Sequence, residues 1–312
     1  MRRPRKLLIY LDQNYLSNLA KVDLIGRVPK EYLTLRSRLQ AGFAAEKLVV
    51  LASVTHSIES DLTPNWKEHI KDLQASIGHT GLCDPMEIKE CQIARGIQVF
   101  IGCGELKDVI SFEDAFEDWP DRPVPLFQMD LRQPSRSAKE NERRVSLAAR
   151  LDPVRRRVRD GRIRFPDLYK DELNSMRSAM TEDKWATHYA TVADVDLDTY
   201  SKFVSSDAFS QIPIINLEVA LLAQLMSTQS NRSITPSDVP DMDTMAAYLP
   251  YCDMYATDKT VANVARNLKL PNQYACQIFD ASLAGVESLS QAVHRHIETS
   301  EPVNIVTRRP LF

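Results

Sequence analysis

The stretch that decides the fold is residues 7–21, which read Leu-Leu-Ile-Tyr-Leu-Asp-Gln-Asn-Tyr-Leu-Ser-Asn-Leu-Ala-Lys. Its first five residues form a continuous apolar run, which is typical of a strand covered on both faces in a parallel α/β sheet. Asp12 ends the run, and the apolar residues that follow recur at helical spacing. A carboxylate between a buried strand and a helix lies where open α/β sheets bind ligands. The alternative is that Asp12 only caps the helix.

Composition is that of an ordinary globular chain, whose 312 residues can form one large domain or two unequal ones. The formal net charge of -3 gives no global bias toward nucleic acid or membranes. No apolar run approaches transmembrane length, and the basic start meets Asp12 too soon for a secretory signal. The five scattered cysteines follow no metal-ligand spacing, which predicts reduced thiols and a cytoplasmic location.

A second apolar run, Lys47–Ser53, predicts another buried strand after two helices. A strand, two helices and a strand form a crossover unit, so the two strands should be parallel. Glu59 falls in the first turns of the next helix, which places Asp12 and Glu59 at the same carboxyl edge of the sheet. His56 lies on the same helical face as Glu59, where a packing role is favoured over a role as a ligand.

The middle of the chain, from about residue 65 to residue 212, reads as helices and loops. Within it, Arg132–Arg164 has twelve basic and four acidic residues, a local charge of +8. Arginine clusters bind phosphates, although a solvated helical face or a subunit contact is equally compatible with this pattern. Aromatic residues are scarce there, which favours contact with a nucleic-acid backbone over contact with bases. The candidate nucleic-acid-binding residues are Arg143, Arg144, Arg155, Arg156, Arg157 and Arg159.

The last third returns to an α/β pattern. Asp241 lies near the start of a short helix that Pro250 ends, and Met254–Thr257 is a predicted strand with Asp258 at its carboxyl end. Each acidic residue has a capping explanation of its own. Four of them from separate segments at one sheet edge favour a shared site, formed by Asp12, Glu59, Asp241 and Asp258.

These segments resemble the PIN-like nuclease superfamily, whose fold is a three-layer α/β/α sandwich with a central parallel sheet. The strand that ends in Asp12 matches the family's first acidic residue, and Glu59 matches the second. Asp241, followed by Met-Asp-Thr-Met-Ala-Ala, matches the third, and the Thr257-Asp258 step matches the fourth. The resemblance implies that these four residues are the catalytic and metal-binding residues.

The resemblance also implies the domain organisation. Residues 1–64 and 213–312 are expected to form a discontinuous PIN-like nuclease domain, with Val303–Thr307 as its final strand. Residues 65–212 are then a mostly helical insertion. Its role is not implied by the family, and we expect it to bind substrate or a partner. This insertion departs from the family pattern, in which the second and third acidic residues lie much closer together.

The chemistry implied by the resemblance is metal-dependent endoribonuclease activity, with RNA favoured over DNA. Mg²⁺ or Mn²⁺ suits a set of carboxylates, because both are hard cations that prefer oxygen ligands. The expected products carry 5′-phosphate and 3′-hydroxyl groups. Supporting roles are predicted for Asn14, Ser17, Asp253 and Thr257. Of these, Asp253 should lie at the opposite end of its strand, which favours a structural role.

The resemblance suggests a toxin or anti-phage system as the biological setting. A regulatory or antitoxin partner and a homo-oligomer are compatible with this setting. No membrane association is expected. The alternative is a catalytically inactive PIN-like scaffold that binds RNA or a protein through the insertion. A phosphatase of the haloacid dehalogenase type is disfavoured, because it needs a second aspartate where this chain has Asn14. A response-regulator receiver needs an early acidic pair and a later lysine, which this sequence does not place convincingly.

Overall fold

The chain divides into two compact units. The computed structural model describes residues 6–25, 28–56, 64–106, 109–116, 134–161, 163–228 and 233–299. The first unit comprises Met1–Cys83, Phe116–Pro120 and Leu249–Arg308. The second comprises Asp84–Ala115, Asp121–Tyr248 and Arg309–Phe312. The first unit therefore combines segments that are far apart in sequence.

A parallel five-stranded sheet forms the centre of the first unit. Its strands, β1 to β5 in chain order, are Leu7–Leu11, Leu48–Ala52, His79–Gly81, Met254–Thr257 and Gln277–Asp280. They lie in the order β3-β2-β1-β4-β5, and each neighbouring pair is parallel. The predicted α/β class is therefore confirmed, as are the strands expected within residues 7–11, 47–53 and 254–257.

The α-helices bounded by described residues, α1 to α14 in chain order, are Gln13–Ile25, Lys30–Ala44, Pro64–Ile77, Pro85–Phe100, Pro134–Arg159, Phe165–Met180, Asp183–Val192, Leu197–Ser205, Asp207–Ser210, Pro213–Ser227, Asp238–Tyr248, Lys259–Asn267, Leu270–Tyr274 and Leu283–Thr299. Short 3-10 helices cover Phe112–Asp114 and Leu249–Tyr251. Helices α1–α3 and α12–α14 belong to the first unit, and α4–α11 to the second. In the part of the chain that the structure describes, no helix is long and apolar enough to cross a membrane.

The core of the first unit lies between one face of the sheet and helices α1, α2, α3 and α14. Leu7, Ile9 and Leu11 point to this face, because successive side chains of a strand point to opposite sides. Leu16 of α1 and Leu39 of α2 pack in the same cluster. Each such side chain contributes about 1.5–3 kcal/mol when it is buried. This burial fixes the register of β1 and thereby the position at which Asp12 leaves the sheet.

The second unit is helical in its described part, and its most buried helix is α10. Thirteen of the fifteen residues of α10 are buried, which is typical of a helix that is apolar on all sides. Helix α10 packs against α5, α6 and α11, all of which belong to the same unit.

The division between the units differs from the boundaries predicted at residues 64 and 213. Helix α3 packs against α1, α2 and β2, so the residues from 64 to 83 belong to the first unit. Helices α10 and α11 pack among the helices of the second unit, so residues 213–248 belong there. An apolar helix pattern predicts burial, but it does not specify which neighbours bury the helix.

Two strands were not predicted, β3 and β5, which contain three and four residues. Each is too short to show a clear apolar pattern. The prediction that residues 65–212 contain only helices and loops is therefore wrong at β3, which pairs with β2. The expected final strand, Val303–Thr307, lies outside the described residues.

Candidate functional site

Asp12 and Asp258 follow two neighbouring strands at the carboxyl edge of the sheet. Leu11 of β1 pairs with Ala256 of β4, and the backbone N–H of Asp12 donates to the Ala256 carbonyl at 2.9 Å. In the sheet, β2 and β3 lie on one side of β1, whereas β4 and β5 lie on the other side. Open parallel sheets form a ligand-binding crevice where the strand order reverses in this way. The two carboxylates therefore lie on either side of that crevice position.

Both carboxylates also cap the helices that follow them. Asp12 Oδ1 accepts a hydrogen bond from the backbone N–H of Tyr15 at 3.1 Å. Asp258 Oδ1 accepts from the backbone N–H groups of Thr260, at 2.5 Å, and Val261, at 3.0 Å. The capping role considered for Asp12 is thus real, and these bonds use one oxygen of each carboxylate. Capping holds the two side chains in fixed orientations at the sheet edge, which is compatible with binding a ligand there.

A third carboxylate, Asp280, ends β5 at the same edge and was missed in the sequence. Asp280 pairs with Thr257 in the sheet. Its carboxylate accepts hydrogen bonds from the backbone N–H and hydroxyl of Ser282, and Arg266 Nη1 lies 3.0 Å from its Oδ2. Burial raises the pKa of Asp280, but the bonds from Ser282 and Arg266 outweigh it and hold the pKa below the usual value. The signal that could have found it is Ile278-Phe279 followed by aspartate.

Tyr15 lies between Asp12 and Asp280. Its side chain is 0% exposed, and its hydroxyl donates to the backbone carbonyl of Asp280 at 2.5 Å. Burial raises the pKa of Tyr15, and the nearby Tyr32, Asp12 and Asp280 raise it further, whereas Arg266 acts in the opposite direction. The hydroxyl is therefore protonated and acts as a donor.

His56, after the end of β2, is a packing residue, as its position in the sequence favoured. It is 3% exposed, and its Nδ1 accepts a hydrogen bond from the backbone N–H of Ser53 at 3.2 Å. Burial lowers the pKa of His56 to about 4, against a smaller opposing contribution from the Leu11 carbonyl. Its ring stacks on Tyr10 with 5.0 Å between centroids, and Tyr10 stacks in turn on Tyr255. A neutral, enclosed imidazole fits packing.

The remaining predicted residues of the first unit occupy different environments. Glu59 lies outside the described residues, so its expected role stays a prediction. Asn14 is exposed and Ser17 is half-buried, both on α1, while Thr257 is buried at the end of β4. Asp253 lies at the amino end of β4, where its Oδ2 accepts from the backbone N–H of Leu8 at 2.9 Å. This contact joins β4 to β1 and supports the structural role expected for Asp253.

Asp241 is half-buried in the first turn of α11, within the second unit. Asp238, in the same turn, is 2% exposed and its Oδ2 accepts from the backbone N–H of Thr235 at 2.6 Å. Of the predicted acidic residues, the structure therefore brings Asp12 and Asp258 together on one sheet edge. Among the residues that the structure describes, no three His, Cys, Asp or Glu side chains form a group that could hold a metal ion.

The part of the arginine-rich segment from Pro134 to Arg159 forms α5, and Arg164 lies just before α6. Arg155 is 8% exposed, and its Nε donates to the Thr228 carbonyl at 3.5 Å, so it is buried away from a solvent-borne phosphate. Arg156 is exposed and pairs with Asp152 at 2.8 Å, one helical turn away. Arg157 is exposed as well. The side chains of Arg143, Arg144 and Arg159 are outside the described part of the chain.

Comparisons of the chain with protein-family models, with curated proteins and with solved structures gave no match. The likeness to PIN-like nucleases thus rests on the sequence motifs alone.

Proposed function

We propose that this protein is a metal-dependent nuclease that hydrolyses phosphodiester bonds, with RNA as the substrate. The observation that supports the proposal is the position of Asp12 and Asp258. They end the neighbouring strands β1 and β4, on either side of the point where the strand order reverses. That is where a parallel α/β sheet forms its ligand-binding crevice.

The donor set at this edge suits a hard divalent cation. Mg²⁺ is commonly bound through one or two carboxylates, together with water molecules and substrate phosphates. Asp12 and Asp258 would hold Mg²⁺ or Mn²⁺, and Glu59 is the further ligand that the resemblance implies on the same side of the chain's division into units. When bound, such a cation lowers the pKa of a water molecule and stabilises negative charge on phosphate oxygens.

The chain itself contributes orientation. The helix caps hold Oδ1 of Asp12 and of Asp258 against backbone N–H groups, so these carboxylates need little rearrangement to bind a ligand. Two carboxylates at one edge would repel a phosphodiester if no cation were present. The proposal therefore requires that cleavage depends on the cation. The same proposal includes a three-layer sandwich fold and products with 5′-phosphate and 3′-hydroxyl groups. It also includes a toxin or anti-phage setting with a regulatory partner. These parts rest on the resemblance.

The experiment uses the purified full chain with end-labelled RNA and Mn²⁺, with and without a chelator. Asp12→Asn and Asp258→Asn should each reduce cleavage by more than about 100-fold, the upper range for residues that only orient a ligand. Both variants should stay folded, because asparagine caps helices about as well as aspartate. The matched control is Asp196→Asn in the second unit, whose side chain likewise caps a helix by accepting from Thr199 N–H at 2.7 Å.

Full activity in Asp258→Asn would refute the assignment of the site. Cleavage that survives the chelator would refute the dependence on a metal. RNA binding by the wild-type chain without any cleavage would instead support the alternative of a non-catalytic scaffold.

A further inference from the structure

We propose that Tyr15 is a positioning residue for Asp12, which couples the metal-binding carboxylate after β1 to the far strand β5; this inference rests on the nuclease function proposed above. Tyr15 makes two contacts that support it. Its backbone N–H donates to Asp12 Oδ1 at 3.1 Å, and its hydroxyl donates to the Asp280 carbonyl at 2.5 Å. One side chain thus ties the first turn of α1 to the last residue of β5.

The acceptor of the Tyr15 hydroxyl is itself held from two further directions. Arg266 Nη1 binds Asp280 Oδ2 at 3.0 Å, and Arg266 Nη2 donates to the Ile278 carbonyl at 3.1 Å. The backbone N–H of Ser282 donates to Asp280 Oδ1 at 3.1 Å. These contacts fix the end of β5 independently of Tyr15, so it can act as a rigid anchor for the Tyr15 hydroxyl.

The environment of Tyr15 favours a permanent hydrogen bond. The side chain is 0% exposed, so water does not compete with the Asp280 carbonyl for the hydroxyl. A ring contact with Tyr32, with 6.1 Å between centroids, restricts the Tyr15 ring from another side. Asn18 donates to the Tyr32 hydroxyl at 3.3 Å, which links this contact back to α1.

The expected consequence concerns the position of the Asp12 carboxylate. Removing the hydroxyl leaves the Tyr15 N–H bond to Asp12 but frees the first turn of α1 from β5. A misplacement of about 1 Å can cost roughly 100-fold in rate, and the loss of a group that orients a metal ligand typically costs about 10- to 100-fold in metal affinity or activity. We therefore expect Tyr15→Phe to weaken Mn²⁺ binding and lower kcat, each by about 10-fold or more, with little change in KM for RNA.

The test compares Tyr15→Phe with Tyr200→Phe. Tyr200 is a matched control in the second unit: it is 1% exposed, and its hydroxyl donates to the Met180 backbone carbonyl at 3.0 Å. Mn²⁺ binding is measured without RNA, from the electron paramagnetic resonance signal of the free ion. Tm, kcat and KM are measured on the same samples. Both variants should lose a similar amount of Tm, whereas only Tyr15→Phe should lose Mn²⁺ affinity and kcat.

An unchanged Mn²⁺ affinity and kcat in Tyr15→Phe would overturn the inference and leave the proposed nuclease intact, because the wild-type chain would still bind the ion and cleave. A wild-type chain that neither binds Mn²⁺ nor cleaves would overturn both. If Tyr15→Phe does not fold, Arg266→Gln tests the same network from its half-exposed end. It should shift Mn²⁺ affinity in the same direction by a smaller factor, and the absence of any shift would overturn the inference.

Discussion

Lys89 and Glu218 form an ion pair inside the second unit that is nearly shielded from water. Lys89 Nζ lies 2.5 Å from Glu218 Oε2, and the two side chains are 12% and 10% exposed. Removing one partner of such a pair takes away the counter-charge that the other buried charge faces, which typically costs about 3–5 kcal/mol. We therefore expect Lys89→Met to lower the free energy of unfolding of this unit by about that amount.

The chain offers a control with the same N–O distance and a different environment. Lys202 and Asp198 also lie 2.5 Å apart, but their side chains are 67% and 73% exposed. Exposed pairs of this kind contribute little to stability, because water and salt screen them, so Lys202→Met should have little effect. The comparison of the two lysine variants tests the effect of burial at one N–O distance.

The assay is urea unfolding followed by the fluorescence of Trp185, in a background where the other two tryptophans, Trp66 and Trp119, are replaced by phenylalanine so that the signal reports on the second unit. The double variant Lys89→Met, Glu218→Leu should recover most of the lost stability, because a buried pair replaced by apolar side chains is often neutral. Met176 Sδ lies 3.8 Å from Lys89 Nζ, so an apolar neighbour is already in place. A loss below about 1 kcal/mol in Lys89→Met, as at an exposed pair, would refute the reasoning.

Two further predictions concern the first unit. Burial lowers the pKa of His56 to about 4. As pH falls from about 6.5, the unfolded chain therefore binds a proton at this residue before the folded chain does. Roughly 3 kcal/mol of the free energy of unfolding should be lost by pH 4. Unfolding measured across this pH range should show that loss, and His56→Gln should reduce it. A Cβ on Gly285 would lie 2.0 Å from the Asp280 carbonyl oxygen, so Gly285→Ala should cost about 1–3 kcal/mol, read from Tm. Gly104→Ala, whose Cβ would come no closer than 3.4 Å to its neighbours, is the control and should have almost no effect.

The strands that could be predicted from sequence are those with enough apolar residues to show a pattern. Continuous apolar runs form all or most of β1, β2 and β4, and a recognisable helix start follows each of them in the sequence. In β5 only Ile278 and Phe279 are apolar before Asp280, so the same strand-aspartate-helix pattern is present but compressed. The third carboxylate of the edge was missed for that reason.

The site was only partly predictable because sequence patterns indicate burial and not partners. Asp12 and Asp258 are adjacent because β1 pairs directly with β4, and this pairing is not visible in the sequence of either strand. The helical pattern around Asp241 indicates burial, but it does not reveal that α11 packs within the second unit. The network of Tyr15 with Asp280 depends on a tertiary contact across 265 residues, which no local pattern encodes.

The pairing of β1 with β4 also has a consequence for biosynthesis. Asp253 contacts the Leu8 backbone across 245 residues, so the ribosome must make most of the chain before β1 gains this neighbour. At about 5–20 residues per second, one edge of the nascent β1 stays without its partner for roughly 10–50 s. Apolar strands with an open edge are prone to aggregation. Newly made chains of this protein should therefore depend on chaperone protection, and truncated translation products should lack the assembled carboxylate edge altogether.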